Sequence, residues 1–176
     1  MQLRALSVTL LLTLVLGGCG GASRPRSHTT ESARKTAPQR DPLSLPAGVP
    51  TSPTRPADAS ATRTIRAWSK ALRAGDLAGA TALWALPARI QNGTPVLTLG
   101  TRGDVRSFNE SLSCGAVLTG AGAARGYTIA TFRLTERRGG QCGTGVGQSA
   151  QTAVLVRAGR IAGWYRLPDT TPGPVI

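Results

Sequence analysis

The apolar residues of this chain change their spacing twice. Residues 5–16 form one nearly unbroken apolar run behind a single cation, Arg4. From Gly20 to about Ala57 large apolar residues almost vanish. Pro25, Pro38, Pro42, Pro46, Pro50, Pro53 and Pro56 recur there among Ser, Thr, Arg and Gly. From Asp58 a helical period sets in, and after residue 115 it gives way to a period of two. The pattern reads as a leader over 1–18, a linker over 19–57, one folded domain over 58–169 and a frayed tail over 170–176.

Within the domain, Asp58 or Ser60 stands ready to cap a helix whose apolar residues, Ile65, Trp68, Ala71 and Leu72, share one side. Gly75 ends it. Asp76 opens a second helix with Leu77, Ala80, Leu83 and Trp84 inward, stopped at Pro87. Asn92-Gly93 marks a tight turn between short strands at 88–91 and 95–99. A third helix over 104–112 carries Val105, Phe108 and Leu112 on one side, with Asp104 as its cap. Only strands are expected after it: a short one at 116–118, a long one at 127–136, then a glycine-rich loop over 139–147. A hairpin of 149–157 and 160–167 follows, turning at Ala158-Gly159. Helices first and an antiparallel sheet after them make an α+β order rather than alternating βαβ units.

Charge and residue choice narrow the chemistry. The formal charge is +13, and lysine contributes only Lys35 and Lys70 to it. No basic cluster is interleaved with aromatic residues that stack bases, which argues against nucleic acid. The single histidine, His28, lies in the linker, so the domain has no histidine for acid–base chemistry, for a Ser-His-Asp or Cys-His arrangement, or for a metal cluster. The loop over 139–147 lacks the Gly-Lys-Ser/Thr ending of a phosphate loop. No cofactor is implied. The linker is too polar to offset its ordering entropy and is expected to be disordered. As a coil of about 38 residues it spans roughly 35 Å, and as polyproline it approaches about 120 Å.

Two resemblances sharpen this picture. The apolar run ends in Leu16-Gly17-Gly18-Cys19, which resembles the lipobox signal of bacterial lipoproteins. That resemblance implies a diacylglyceryl thioether on Cys19 and cleavage before it, which leaves Cys19 as the mature N-terminus. A lipid anchor on the extracytoplasmic face of the cell membrane follows, because two acyl chains suffice for stable anchoring. With Cys19 lipidated, Cys114 and Cys142 remain as an even pair in an oxidising compartment, where they are expected to form a disulfide.

The second resemblance rests on Arg66-Ala67-Trp68-Ser69-Lys70-Ala71-Leu72, Ala74-Gly75-Asp76, Ile90-Gln91-Asn92-Gly93-Thr94-Pro95 and Gly159-Arg160-Ile161-Ala162-Gly163-Trp164-Tyr165. Together these resemble an NTF2-like (cystatin-type α+β cone) domain of actinobacterial lipoproteins. The resemblance implies three helices on a curved mixed or antiparallel sheet, a conical pocket, and pairing of two copies through the sheet. Trp68 and Trp164 then read as core or pocket wall. Strand 127–136 presents Tyr127, Thr131 and Arg133 on one face. Arg133 either meets solvent or, where that face lines the cone, anchors an anionic ligand with Thr131 and Tyr127 as hydrogen-bonding partners. The expected role is binding of a small hydrophobic or anionic ligand, or of a cell-envelope protein. Two other readings stand beside it: an isomerase or dehydratase pairing Tyr127 or Tyr165 with a carboxylate (Asp104, Glu110 or Glu136), and a basic module holding anionic envelope polymer.

Overall fold

The computed structural model describes Asp41 and residues 43–169. The leader, Cys19, the first part of the linker and the tail over 170–176 lie outside the described residues. The elements run β1 (Arg55–Pro56), α1 (Ala59–Ala74), α2 (Leu77–Ala82), β2 (Trp84–Gln91), β3 (Leu97–Leu99), α3 (Arg102–Ser111), β4 (Gly115–Ala124), β5 (Tyr127–Thr135), β6 (Ser149–Arg157) and β7 (Arg160–Arg166). The seven strands form one sheet in the order β1-β4-β5-β6-β7-β2-β3. Every neighbouring pair is antiparallel except β2 and β7. This is an α+β fold with a mixed sheet.

The helix boundaries follow from local chemistry. Asp58 accepts from the Ala61 N–H and caps α1. Gly75 closes it at φ 75, where a Cβ would sit 2.9 Å from the Arg138 carbonyl oxygen. Asp76 caps α2 by accepting from the Gly79 N–H. The third helix begins two residues earlier than its apolar pattern suggests. Thr101 is the cap, and Asp104 sits three positions in, its carboxylate returning to the Gly100 and Thr101 N–H groups. Such a capping box satisfies otherwise unpaired donors at both sides of the first turn.

Two elements differ from the sequence pattern. Trp84 is the first residue of β2, not the last turn of α2. The pairing of β2 with β7 on one side and β3 on the other wins over the helical spacing. The strand β4 is ten residues long, although its Gly- and Ala-rich sequence has low strand propensity. Its pairing with β5 runs from Gly115↔Thr135 to Ala124↔Tyr127 and supplies what propensity does not.

The sheet has two differently covered faces. Its inner face packs on the helices through Ala130, Phe132, Val154, Ile161 and Trp164, against Ile65, Trp68, Leu72, Val105 and Phe108. Trp68 is central, edge-on to Trp84, Phe132 and Trp164 at centroid distances of 6.2, 6.4 and 6.4 Å. The outer face carries a second cluster of Ile129, Ala153, Tyr165 and Leu167, against which Tyr127, Leu45 and Val49 pack. Leu45 and Val49 belong to a stretch whose composition reads as linker. Here, however, that stretch is attached. Gln91 Nε2 donates to the carbonyls of Leu43 and Ser44 at 2.9 and 3.1 Å, Pro50 is buried, and the Thr54 N–H donates to the Ala123 carbonyl. Residues 43–54 thus form a strap over the outer face.

Candidate functional site

Where α3 runs into β4, the inner face of the sheet and the last turns of α1 and α3 do not close completely. A cavity of about 180 Å³ remains. Its floor is buried and largely apolar: Trp68, Leu72, Phe132, Ala150, Thr152 and Trp164. Its rim is exposed and polar: Asn92, Ser111 and Ser113. Cys114 completes the rim and is bonded to Cys142, so the disulfide ties the α3–β4 junction to the glycine-rich loop.

Two floor residues have unsatisfied polar atoms. Trp164 Nε1 and Thr152 Oγ1 are both buried and have no hydrogen-bond partner. They stand on adjacent strands of the inner face, where Thr152 pairs with Arg166 and Trp164 with Val154. A buried donor without an acceptor costs about 1–3 kcal/mol. Trp68 shows the contrast. Its Nε1–H donates to Asn109 Oδ1 at 2.9 Å, and Asn109 is itself fully buried, so Trp68 serves the cavity only as wall.

The sole charged residue lining the cavity is Arg166. Its Nη1 donates to the Gln151 carbonyl and its Nη2 pairs with Asp169. No carboxylate lines the cavity. The chemistry is that of an apolar slot whose floor residues Trp164 and Thr152 each hold a buried polar atom without a partner, one of them an obligate donor.

The structure brings together only part of the residue set expected to bind ligand. Trp68 and Trp164 line the cavity; Tyr127, Thr131 and Arg133 do not. Alternation along β5 is fixed by Ala130 and Phe132 facing the helices, which turns Tyr127, Thr131 and Arg133 to the outer face. Arg133 is exposed there, Thr131 accepts from Gln151 Nε2 at 3.2 Å, and Tyr127 stacks edge-on to Tyr165 at 6.0 Å. Burial, with a smaller repulsive contribution from Tyr127, raises the Tyr165 phenol above its ordinary value and keeps it neutral.

Nor does the fold assemble a tyrosine–carboxylate pair. Both tyrosines pack on the outer face, and Asp104, Glu110 and Glu136 are exposed. Asp104 is occupied with its capping box, and Glu136 accepts from the Cys142 N–H. Sequence reasoning passed over Thr152, Arg166, Asn92 and the stretch 111–113. Thr152 had a signal: it is the one hydroxyl among the inner-face positions Ala150, Thr152, Val154 and Val156 of β6. The rim had none, because only the meeting of α3 with β4 creates it.

These features define an α+β protein with helices laid on one face of a mixed sheet and an apolar slot beneath them. Neither a family model nor a curated protein sequence matches the chain. Solved structures of similar fold include a de novo designed protein with a curved β-sheet (13% identity, 65% of this chain and 88% of that one, TM-score 0.50). A candidate ketosteroid isomerase from Kribbella flavida has 16% identity, covering 65% of this chain and 82% of that one with a TM-score of 0.49. An NTF-2 like protein of unknown function from Burkholderia xenovorans has 13% identity, covering 65% and 88% with a TM-score of 0.46. At these identities the likeness concerns the fold alone.

Proposed function

We propose that this chain is a lipid-anchored binding protein of the extracytoplasmic membrane face, whose NTF2-like domain holds a small amphipathic molecule. The observation that carries the reading is an apolar cavity whose floor residues, Trp164 and Thr152, each keep a buried polar atom without a partner. An indole N–H only donates, so the buried end of the ligand carries an acceptor oxygen such as a ketone, ester, amide or carboxylate. The apolar walls take the part of the molecule nearest that oxygen. The cavity measures about 180 Å³. That is smaller than the roughly 300–1,000 Å³ of sites for drug-sized ligands. The ligand is therefore small, or it leaves most of a longer chain outside the polar rim.

Native mass spectrometry of protein purified gently from its own host tests the ligand. The expected result is a reproducible extra mass that is lost in Thr152→Val. A bare mass, together with no binding of small ketones, esters or carboxylates in a tryptophan-fluorescence titration, would overturn it. The anchor has a separate test: Cys19→Ala is expected to move the protein from the membrane to the soluble fraction.

A further inference from the structure

Five arginines of the domain gather at one end of the sheet. The β4–β5 turn at Arg125-Gly126 and the β6–β7 turn at Ala158-Gly159 lie side by side, because these four strands pair consecutively and antiparallel. The short strand β1 brings Arg55 to the same end, opposite Ala123. Thr64 Oγ1 donates to the Gly159 carbonyl at 3.2 Å, which places Arg63 in the early turns of α1 beside the second turn. Arg157 and Arg160 face each other across that turn. All five arginines are exposed, and none forms a salt bridge among the described residues.

Between the two turns lies a depression of about 260 Å³ lined by Arg55, Asp58, Tyr127 and Gly159 among others. Asp58 is the one carboxylate in its wall, and its oxygen already accepts from Ser60 Oγ and the Ala61 N–H. Arg160 spends one nitrogen on the Ala82 carbonyl. None of the other guanidinium groups of this end forms a salt bridge among the described residues.

We infer that this hairpin end grips a phosphate-bearing polyanion, with Arg55, Arg63, Arg125, Arg157 and Arg160 as its contacts. Guanidinium forks match phosphate oxygens in pairs, and several spread over one end of the sheet suit a chain better than a single ion. A lipid leaflet fits less well, since surface binding to a bilayer draws on buried apolar area and neither turn offers a large apolar side chain.

The test titrates the chain from residue 19 onward, carrying Cys19→Ala, with long-chain polyphosphate and separately with phosphatidylglycerol vesicles. Five neutralised phosphates on a single chain predict a salt slope of about 3.5, which is about a hundredfold weakening between 50 and 200 mM salt. The triple variant Arg63→Ser/Arg125→Ser/Arg157→Ser is expected to lower that slope to about 1.4. The corresponding lysine triple is expected to restore most of it. Binding that ignores salt, a serine triple that binds as the parent does, or binding to vesicles but not to polyphosphate would each overturn the inference. Neither ligand mass in the cavity nor membrane fractionation depends on this result, so its failure is distinguishable from failure of the proposed function.

Discussion

Two tryptophans that sequence alone treats alike have opposite polar accounts. Trp68 gives its N–H to Asn109, whereas Trp164 gives its N–H to nothing. The difference predicts substitutions of opposite sign. Thr152→Val removes an unpartnered buried hydroxyl at nearly constant shape, and is expected to stabilise the unliganded domain by about 1 kcal/mol in denaturant melts. The same change is expected to weaken ligand about tenfold. Trp68→Phe instead orphans the Asn109 amide in the core and is expected to destabilise by about 1–3 kcal/mol beyond any packing loss. Nothing in the spacing of Trp68 and Trp164 foretells this, because Asn109 reaches Trp68 only through the packing of α3 on α1.

At the scale of elements, the helix ends were the most legible features. Asp58, Gly75 and Asp76 all act where the pattern puts them, because capping is a contact between residues a few positions apart. Their chemistry also sets a pH dependence. Hydrogen bonds from the Ser60 hydroxyl and then the Ala61 N–H hold Asp58 below its ordinary value, and those from Thr101, backbone first, do the same for Asp104. A depressed folded-state value means the charged form is favoured by folding. This contribution is complete above the unfolded value of about 3.9 and is lost as pH falls through the lower folded values. The helical circular-dichroism signal is expected to become easier to melt below about pH 4, and less so in Asp58→Asn/Asp104→Asn. Gly75→Ala is expected to cost at least about 1 kcal/mol, since the left-handed φ disfavours a Cβ and the Arg138 carbonyl leaves no room for one.

Across the whole molecule, the strap and the disulfide join regions far apart in sequence. A chain begun at Asp58, where the composition changes, loses the contacts of Leu45, Val49 and Pro50. It is expected to be less stable by about 2 kcal/mol than one begun at Asp41. With Ile129, Tyr165 and Leu167 uncovered, it is also expected to self-associate, as sedimentation would show. Replacing both Cys114 and Cys142 by serine opens a loop spanning 28 positions. That change is expected to cost about 3–4 kcal/mol on the chain-entropy account, and to loosen the rim at residues 111–114 enough to speed ligand exchange.

What the sequence determined is whatever its local order carries. The caps, the helical and then strand-like periods, the turns at Asn92-Gly93 and Ala158-Gly159, and the α+β order all follow from neighbours within a few residues. The tertiary structure decided which face of β5 meets the helices, and so removed Arg133, Thr131 and Tyr127 from the slot. Alternation defines two faces but not which is buried when Ile129 and Phe132 give each an apolar claim. It also turned Trp84 from helix to strand and laid part of an apparent linker on the sheet. Those outcomes depend on pairing across the chain, where the free energy comes from partners that no local pattern names.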